Sequence, residues 1–217
     1  MSDRRRPPLL ILGSRIFAEE VADLVEQSGE YELAGFVENW ERERCDAELL
    51  GRPVHWIDDV AGMAGSHVAV CALGTTRRRA FIEQVEALGF GFGTVRHPSA
   101  TVSPAARLGP GGVVGPGVVV ATQTDVGAHV ILNRGVLLGH HTTVGRFVTV
   151  SPGANVAGCV TIGDGAYVGM GATVLDRIRI GEDAVVGAGA VVTRNVAART
   201  QVMGVPARVV KKGVEGR

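Results

Sequence analysis

The chain has 217 residues, 46% hydrophobic and 20% charged, with 22 basic against 22 acidic side chains. That apolar content excludes a disordered chain, and a formal charge of zero speaks against nucleic acid or an anionic membrane as a partner. Aromatics make up only 5% while glycines number 31, so the core must be small and aliphatic and the chain must turn often. No apolar run approaches the ~20 residues of a membrane span. The apolar stretch 9–12 is too short for a signal peptide, which leads to the expectation of a cytoplasmic protein. Cys45, Cys71 and Cys159 are widely spaced, with no CxxC pair, and read as inert thiols rather than a disulfide or a zinc site.

Residues 1–97 alternate strand and helix. The basic run Arg4-Arg5-Arg6 reads as a disordered tail. Residues 8–12 form a continuous apolar run of the buried-strand type. Gly13-Ser14 ends it, and Phe17, Val21, Leu24 and Val25 then mark one face of a helix. Residues 33–37 and 67–73 predict further strands, the second closed by Gly74-Thr75-Thr76. Ala80, Phe81, Val85 and Leu88 predict a second helix, and residues 92–95 a last strand. This order implies a small parallel sheet with helices packed on it.

From 98 to 198 the period changes to six. Val102, Leu108, Val114, Val120, Val126, Leu132, Leu138, Val144, Val150, Val156, Ile162, Val168, Val174, Ile180, Val186 and Val192 occupy every sixth position without a break. The following residue is usually small, as at Gly109, Gly139 and Gly187, and is expected to let the backbone turn, sometimes at positive φ. Neither an amphipathic helix nor a simple strand has this period; a solenoid of short strands does, with the aliphatic residue inward. The pattern resembles the left-handed parallel β-helix of hexapeptide-repeat proteins, in which sixteen hexads would make about five coils. Relatives of the gamma-type carbonic anhydrases use three histidines in such a helix to hold a metal. Here His129 and His140 are eleven residues apart and take different hexad positions, so no metal is expected.

The run Asn133-Arg134-Gly135-Val136-Leu137-Leu138-Gly139-His140-His141, then Pro152-Gly153-Ala154, then Gly204-Val205-Pro206-Ala207-Arg208, behind a small α/β domain, resembles the bacterial sugar acyltransferases grouped with sialic-acid O-acetyltransferases. That group includes N-acetyltransferases acting on nucleotide-linked 4-amino-4,6-dideoxy sugars. The resemblance implies a Rossmann-like N-terminal domain binding a nucleotide sugar, acetyl-CoA as cosubstrate, and a homotrimer with active sites between helices. It makes His140 the general base, seven residues after Asn133, and an imidazole suits that role near neutral pH. Gly158, one coil after His140, would offer its N–H to the thioester oxygen, or serve only as a turn residue. Gly171, Ala188, Gly204 and Arg208 would lie along the coenzyme. Where the family has an acidic residue after the histidine, this chain has His141, which either contacts substrate or is simply exposed. A second family histidine is replaced by Thr149, a loss read as touching the acceptor side.

In the first domain the family's glycine-rich loop is reduced to Gly13-Ser14-Arg15, too few glycines for a dinucleotide pyrophosphate. Arg15, together with the free N–H groups of the first helix, would still suit a phosphate. Glu38 and Asn39 stand where such folds place a group for base or ribose. Gly74, Thr75 and Thr76 ahead of Arg77-Arg78-Arg79 read either as an anion site or as an ordinary helix cap over a solvated basic turn. Residues 199–217 form a basic segment that faces coenzyme phosphates or is a solvated tail. Three functions stand: N-acetylation of a nucleotide-linked amino sugar, O-acetylation of a sugar hydroxyl, and a weakly catalytic scaffold or ligand sensor.

Overall fold

The computed structural model describes residues 6–217; residues 1–5, with Arg4 and Arg5 of the basic run, and the side chain of Arg77 lie outside the described residues. The apolar run becomes strand β1 (Pro8–Leu12), followed by α1 (Ile16–Ser28), β2 (Glu32–Glu38), β3 (Val54–Trp56), β4 (Val68–Cys71), α2 (Arg79–Ala87) and β5 (Gly91–Phe92). All five strands are parallel, in the order β3-β2-β1-β4-β5. The order reverses between β1 and β4, which opens a crevice at their carboxyl ends, where sheets of this kind bind ligands. Helix α1 buries Val21, Leu24 and Val25 and stops at Gly29, whose φ of 64° supplies the left-handed cap. Strand β3 carries no clear alternation and was not foreseen.

The strand expected at 92–95 is two strands in two sheets. Gly91–Phe92 pairs with β4, whereas Val95–Arg96 pairs with Val113–Val114 of the second domain. Between them the chain passes the Tyr31 ring so closely that a Cβ at Gly93 would lie 2.9 Å from it. The repeat ladder thus starts at Val95, inside what the sequence grouped with the first domain.

The hexads wind into a three-sided parallel β-helix whose sheets have six, five and eight strands. From residue 95 to 192 each strand is two residues long and, within that span, lies eighteen residues from its partner in the next coil, as Leu138 does from Val156. The predicted aliphatic ladder points inward. A second inward ladder, four residues further along each hexad, includes Val118, Val136, Thr142, Ala154, Ala172 and Ala190, all fully buried. Positive φ does not fall on the glycines that follow the first ladder. It falls two positions later, from Gly111 through Gln123, His129, His141, Phe147 and Cys159 to Gly189. The glycines after the first ladder answer a different need, close approach of successive coils. A Cβ on Gly139 would lie 2.5 Å from the Gly158 nitrogen, and one on Gly163 2.6 Å from that of Glu182.

One face of the β-helix docks the first domain. Its outward residues in the first coils are Val95, Val113 and Ile131, packed in one cluster with Val21, Leu24 and Val25 of α1. The next outward residue on that face is Thr149. Its hydroxyl accepts from Arg78 Nη1 at 2.7 Å, so Thr149 belongs to the domain seam and not to the acceptor side. Arg78 is only 1% exposed. It also donates to the carbonyls of Thr75, His129 and Val148 at 2.7–2.9 Å. Burial pulls its pKa down to about 10, which leaves it charged at neutral pH.

Beside it His129 is buried, edge-on to Phe92 and stacked on Phe147. Its Nδ1 has no partner among the described residues. Arg79 lies over the Phe147 ring. The C-terminal segment is largely built into the fold. Thr200–Met203 extends the docking sheet, Arg208–Lys212 returns antiparallel to it, and Arg217 reaches Tyr167 Oη at 2.6 Å.

Two stability predictions follow from the seam. Arg78→Met strands buried acceptors and should cost about 3 kcal/mol or more by urea unfolding. His129 has its pKa lowered, chiefly by burial, with Glu86 opposing. Below the ordinary histidine value of about 6.5 the unfolded chain therefore binds more protons, so His129 favours folding above that pH and this contribution falls away as pH drops from about 7 towards 5. Melting curves across that window should slope less steeply in His129→Phe, a residue that Phe147 shows is tolerated at the same turn position.

Candidate active site

His140 sits at a corner of the β-helix, after inward Leu138 and the close-packed Gly139. Directly below it, one coil later, is Gly158. A Cβ built on Gly158 would lie 2.7 Å from both Cε1 and Nε2 of His140. The ring therefore rests its Nε2 edge over a bare backbone, an arrangement only glycine permits there. The Gly158 N–H donates to no protein acceptor among the described residues. On the other side His140 Nδ1 is 3.1 Å from His141 Nδ1, with the rings at 85°. Both histidines are exposed. His129 stands at a different corner, buried in the seam. Among the described residues no three histidine, cysteine or carboxylate side chains cluster as a metal site.

Asn133 lies at the neighbouring edge, separated from His140 by the strand Leu137–Leu138. Its Oδ1 accepts the Arg134 N–H at 2.7 Å, and Arg134 pairs with Glu20 of α1. The same edge runs down through Gly153, Gly171 and Ala188, and Gly204 continues it by accepting from the Val191 N–H. Arg208 follows, exposed. Within one chain the residues expected at the coenzyme and the His140–Gly158 pair thus flank one flat face on opposite edges. That face presents exposed Val119 and Leu137.

A second group meets at the carboxyl ends of β1, β2 and β4. A pocket of about 620 Å³ is lined by Gly13, Ser14, Arg15, Glu38 and Asn39, with Trp40, Phe81 and Gln84. This is an ordinary size for a small-molecule site. Glu38 is buried and accepts three hydrogen bonds: Ser14 Oγ donates to it at 2.5 Å, and the N–H groups of Asn39 and Trp40 donate at 3.0 and 2.9 Å. It shapes the turn, and Asn39 beside it donates its Nδ2–H to Gln84 Oε1 at 2.8 Å. Arg15 pairs with Glu41, whose carboxyl is held below the usual range by hydrogen bonds from Arg44 and Arg15.

Gly74, Thr75 and Thr76 do not line this pocket. The Thr76 N–H and hydroxyl both donate to the Arg217 carbonyl, Arg78 points into the seam, and Arg79 stacks on Phe147. The Thr76 N–H and hydroxyl are thus engaged from within the chain, but the turn is not the solvated one of the second reading, since Arg78 is buried and Arg79 stacks on Phe147. Trp40 and Gln84 were missed. Trp40, 82% exposed beside Asn39, carried a signal in its type alone; Gln84 reaches the pocket only through the packing of α2.

The model of bacterial transferase hexapeptide repeats matches residues 159–194. Among solved structures, the acetyltransferase domain of PglB from Neisseria gonorrhoeae is 30% identical, with a TM-score of 0.87 over 94% of this chain and 100% of that one. PerB from Caulobacter crescentus, solved with CoA and GDP-perosamine, is 31% identical, with a TM-score of 0.86 over 94% of this chain and 97% of that one. WeeI from Acinetobacter baumannii is 26% identical, with a TM-score of 0.84 over 93% and 99%. A search of curated proteins finds no match. The β-helix is of the left-handed hexapeptide type, and the chain belongs to the hexapeptide-repeat sugar acyltransferases.

Gly158→Ala tests the corner. The fold should survive, because the exposed His140 ring can swing away. Acyl transfer should fall ~10²-fold, the usual cost of misplacing a reacting group by about an ångström, with the melting temperature nearly unchanged.

Proposed function

We propose that this enzyme transfers the acetyl group of acetyl-CoA to the amine of a nucleotide-linked amino sugar of the 4-amino-4,6-dideoxy type, for surface-glycan synthesis. The observation that carries the proposal is the His140 Nε2 edge held over the bare Gly158 backbone. It is supported by whole-length similarity to PerB, solved with CoA and GDP-perosamine, and to the PglB domain, also solved with acetyl-CoA. His140 Nε2 takes a proton from the sugar amine as the nitrogen attacks the thioester carbon. The Gly158 N–H, without a protein acceptor among the described residues, donates to the developing oxyanion. The tetrahedral intermediate then expels the coenzyme thiolate, and imidazolium returns its proton to sulfur.

The pocket of Gly13, Ser14, Arg15, Asn39 and Trp40 receives the nucleotide. Exposed Val119 and Leu137 support a homotrimer in which a neighbour covers the flat face and brings its coenzyme edge, Gly171 to Arg208, towards His140. No helix among the described residues is long and apolar enough to cross a membrane. A cytoplasmic site accords with both proposed substrates.

His140→Ala should lower kcat by ~10²–10⁴-fold, the share of a positioned base. In a thermal-shift panel, acetyl-CoA and one of UDP, dTDP, GDP or CMP should raise the melting temperature of the wild type by mass action. Full activity in His140→Ala would remove the base; coenzyme stabilisation with no nucleotide response would point to a free acceptor.

A further inference from the structure

His141 shares its edge of the β-helix with Gln123, Cys159 and Arg177, which all take the same left-handed corner position. The corner position it occupies takes φ near 57°, a conformation for which glycine is the least strained residue, and Gly135 and Gly153 fill it on the neighbouring edge. An exposed histidine there gains nothing in packing. What it does gain is a contact: its Nδ1 lies 3.1 Å from Nδ1 of His140, with the two rings nearly perpendicular. At that separation one nitrogen must donate and the other accept, because two lone pairs or two N–H groups facing each other repel.

The Nε2 edge of His140 rests over Gly158 and is the edge left for an acceptor. A neutral His140 that accepts a proton at Nε2 must carry its own proton on Nδ1. The only side chain hydrogen-bonded to that nitrogen among the described residues is His141. We infer that His141, as the neutral tautomer protonated at Nε2, accepts the His140 Nδ1–H and so holds His140 in the tautomer and ring orientation that leave Nε2 free as the base. When Nε2 takes the substrate proton, the positive charge on His140 is met by the lone pair of His141, a charge-assisted bond that strengthens as the charge develops. His141 is therefore a positioning residue. The inference rests on the reading of His140 as the base.

Two variants keep the backbone turn, because Phe147 and Asp183 already occupy the equivalent position elsewhere in this β-helix with φ of 60° and 52°. His141→Phe removes the acceptor, and His141→Asp restores one. We expect His141→Phe to lower kcat about 10- to 100-fold, part of the share of a positioned base, with KM for both substrates within about twofold. His141→Asp should recover most of that loss. Nitrogen-15 imidazole spectra under neutral-histidine conditions should show His140 protonated at Nδ1 in the wild type and in His141→Asp, and no longer so in His141→Phe.

A wild-type His140 protonated at Nε2 would overturn the inference, as would a His141→Phe enzyme with unchanged kcat, or a His141→Asp enzyme no better than His141→Phe. His140→Ala in the same assay separates the two levels. If it remains active, the base reading itself fails. If it is inactive while His141→Phe is not, only the role of His141 falls.

Discussion

Everything in the second domain depends on the closeness with which one coil lies on the next. Parallel strands must sit about 4.8 Å apart to share their hydrogen bonds, and here that spacing is imposed on corners as well as on strands. From His129 to Gly189 the backbone N–H at each left-handed corner bonds to the coil before it, as His141 does to the Thr122 carbonyl and Cys159 to that of His140. Corners this tight leave no room for a Cβ on Gly139 or Gly163. The same closeness makes the site: because Gly158 lies one coil below His140, a backbone amide and an imidazole edge share one small space without any loop having to be ordered around them.

The second constraint is the seam. A stack of coils has three flat faces, and one is covered by the first domain, through aliphatic outward residues in the first coils and Thr149 in the next. Arg78 closes the seam with four hydrogen bonds from its two terminal nitrogens. A buried charge is tolerated only with such satisfaction. Three of its four bonds tie the start of α2 to two successive corners of the β-helix, around His129 and Phe147–Thr149, and the fourth goes to the Thr75 carbonyl. The orientation of the first-domain pocket relative to the β-helix is thereby set by side chains that take no part in the proposed chemistry.

The two pockets of chemistry are built on different physics. The pocket of the first domain arises from a reversal of strand order, with a buried Glu38 shaping the turn that presents Asn39 and Trp40. The corner at His140 arises from repetition, in which identical backbone positions stack and only the side chains differ. In the proposed function, substrate recognition can therefore vary through loop residues of the first domain while the groups assigned to the reaction stay fixed by the repeat.

The hexad period was legible because each coil repeats the same steric demand, so one inward aliphatic position recurs sixteen times without interruption. His140 over Gly158 was legible for the same reason, since eighteen residues is one coil. The pocket residues Gly13, Ser14, Arg15, Glu38 and Asn39 could be chosen from where strands end. The part played by the glycines could not be read from their spacing. Positive φ and close coil approach both call for glycine, and only the coordinates separate Gly139, which meets a neighbouring coil, from Gly135, which turns the chain. Nor could the sequence distinguish Arg78, buried in the seam, from Arg79, which lies over the Phe147 ring, or assign Thr149 to the seam. Those outcomes turn on which face of the β-helix the first domain covers. That is decided by packing between segments some seventy residues apart, whereas the repeat is decided by neighbours one coil away.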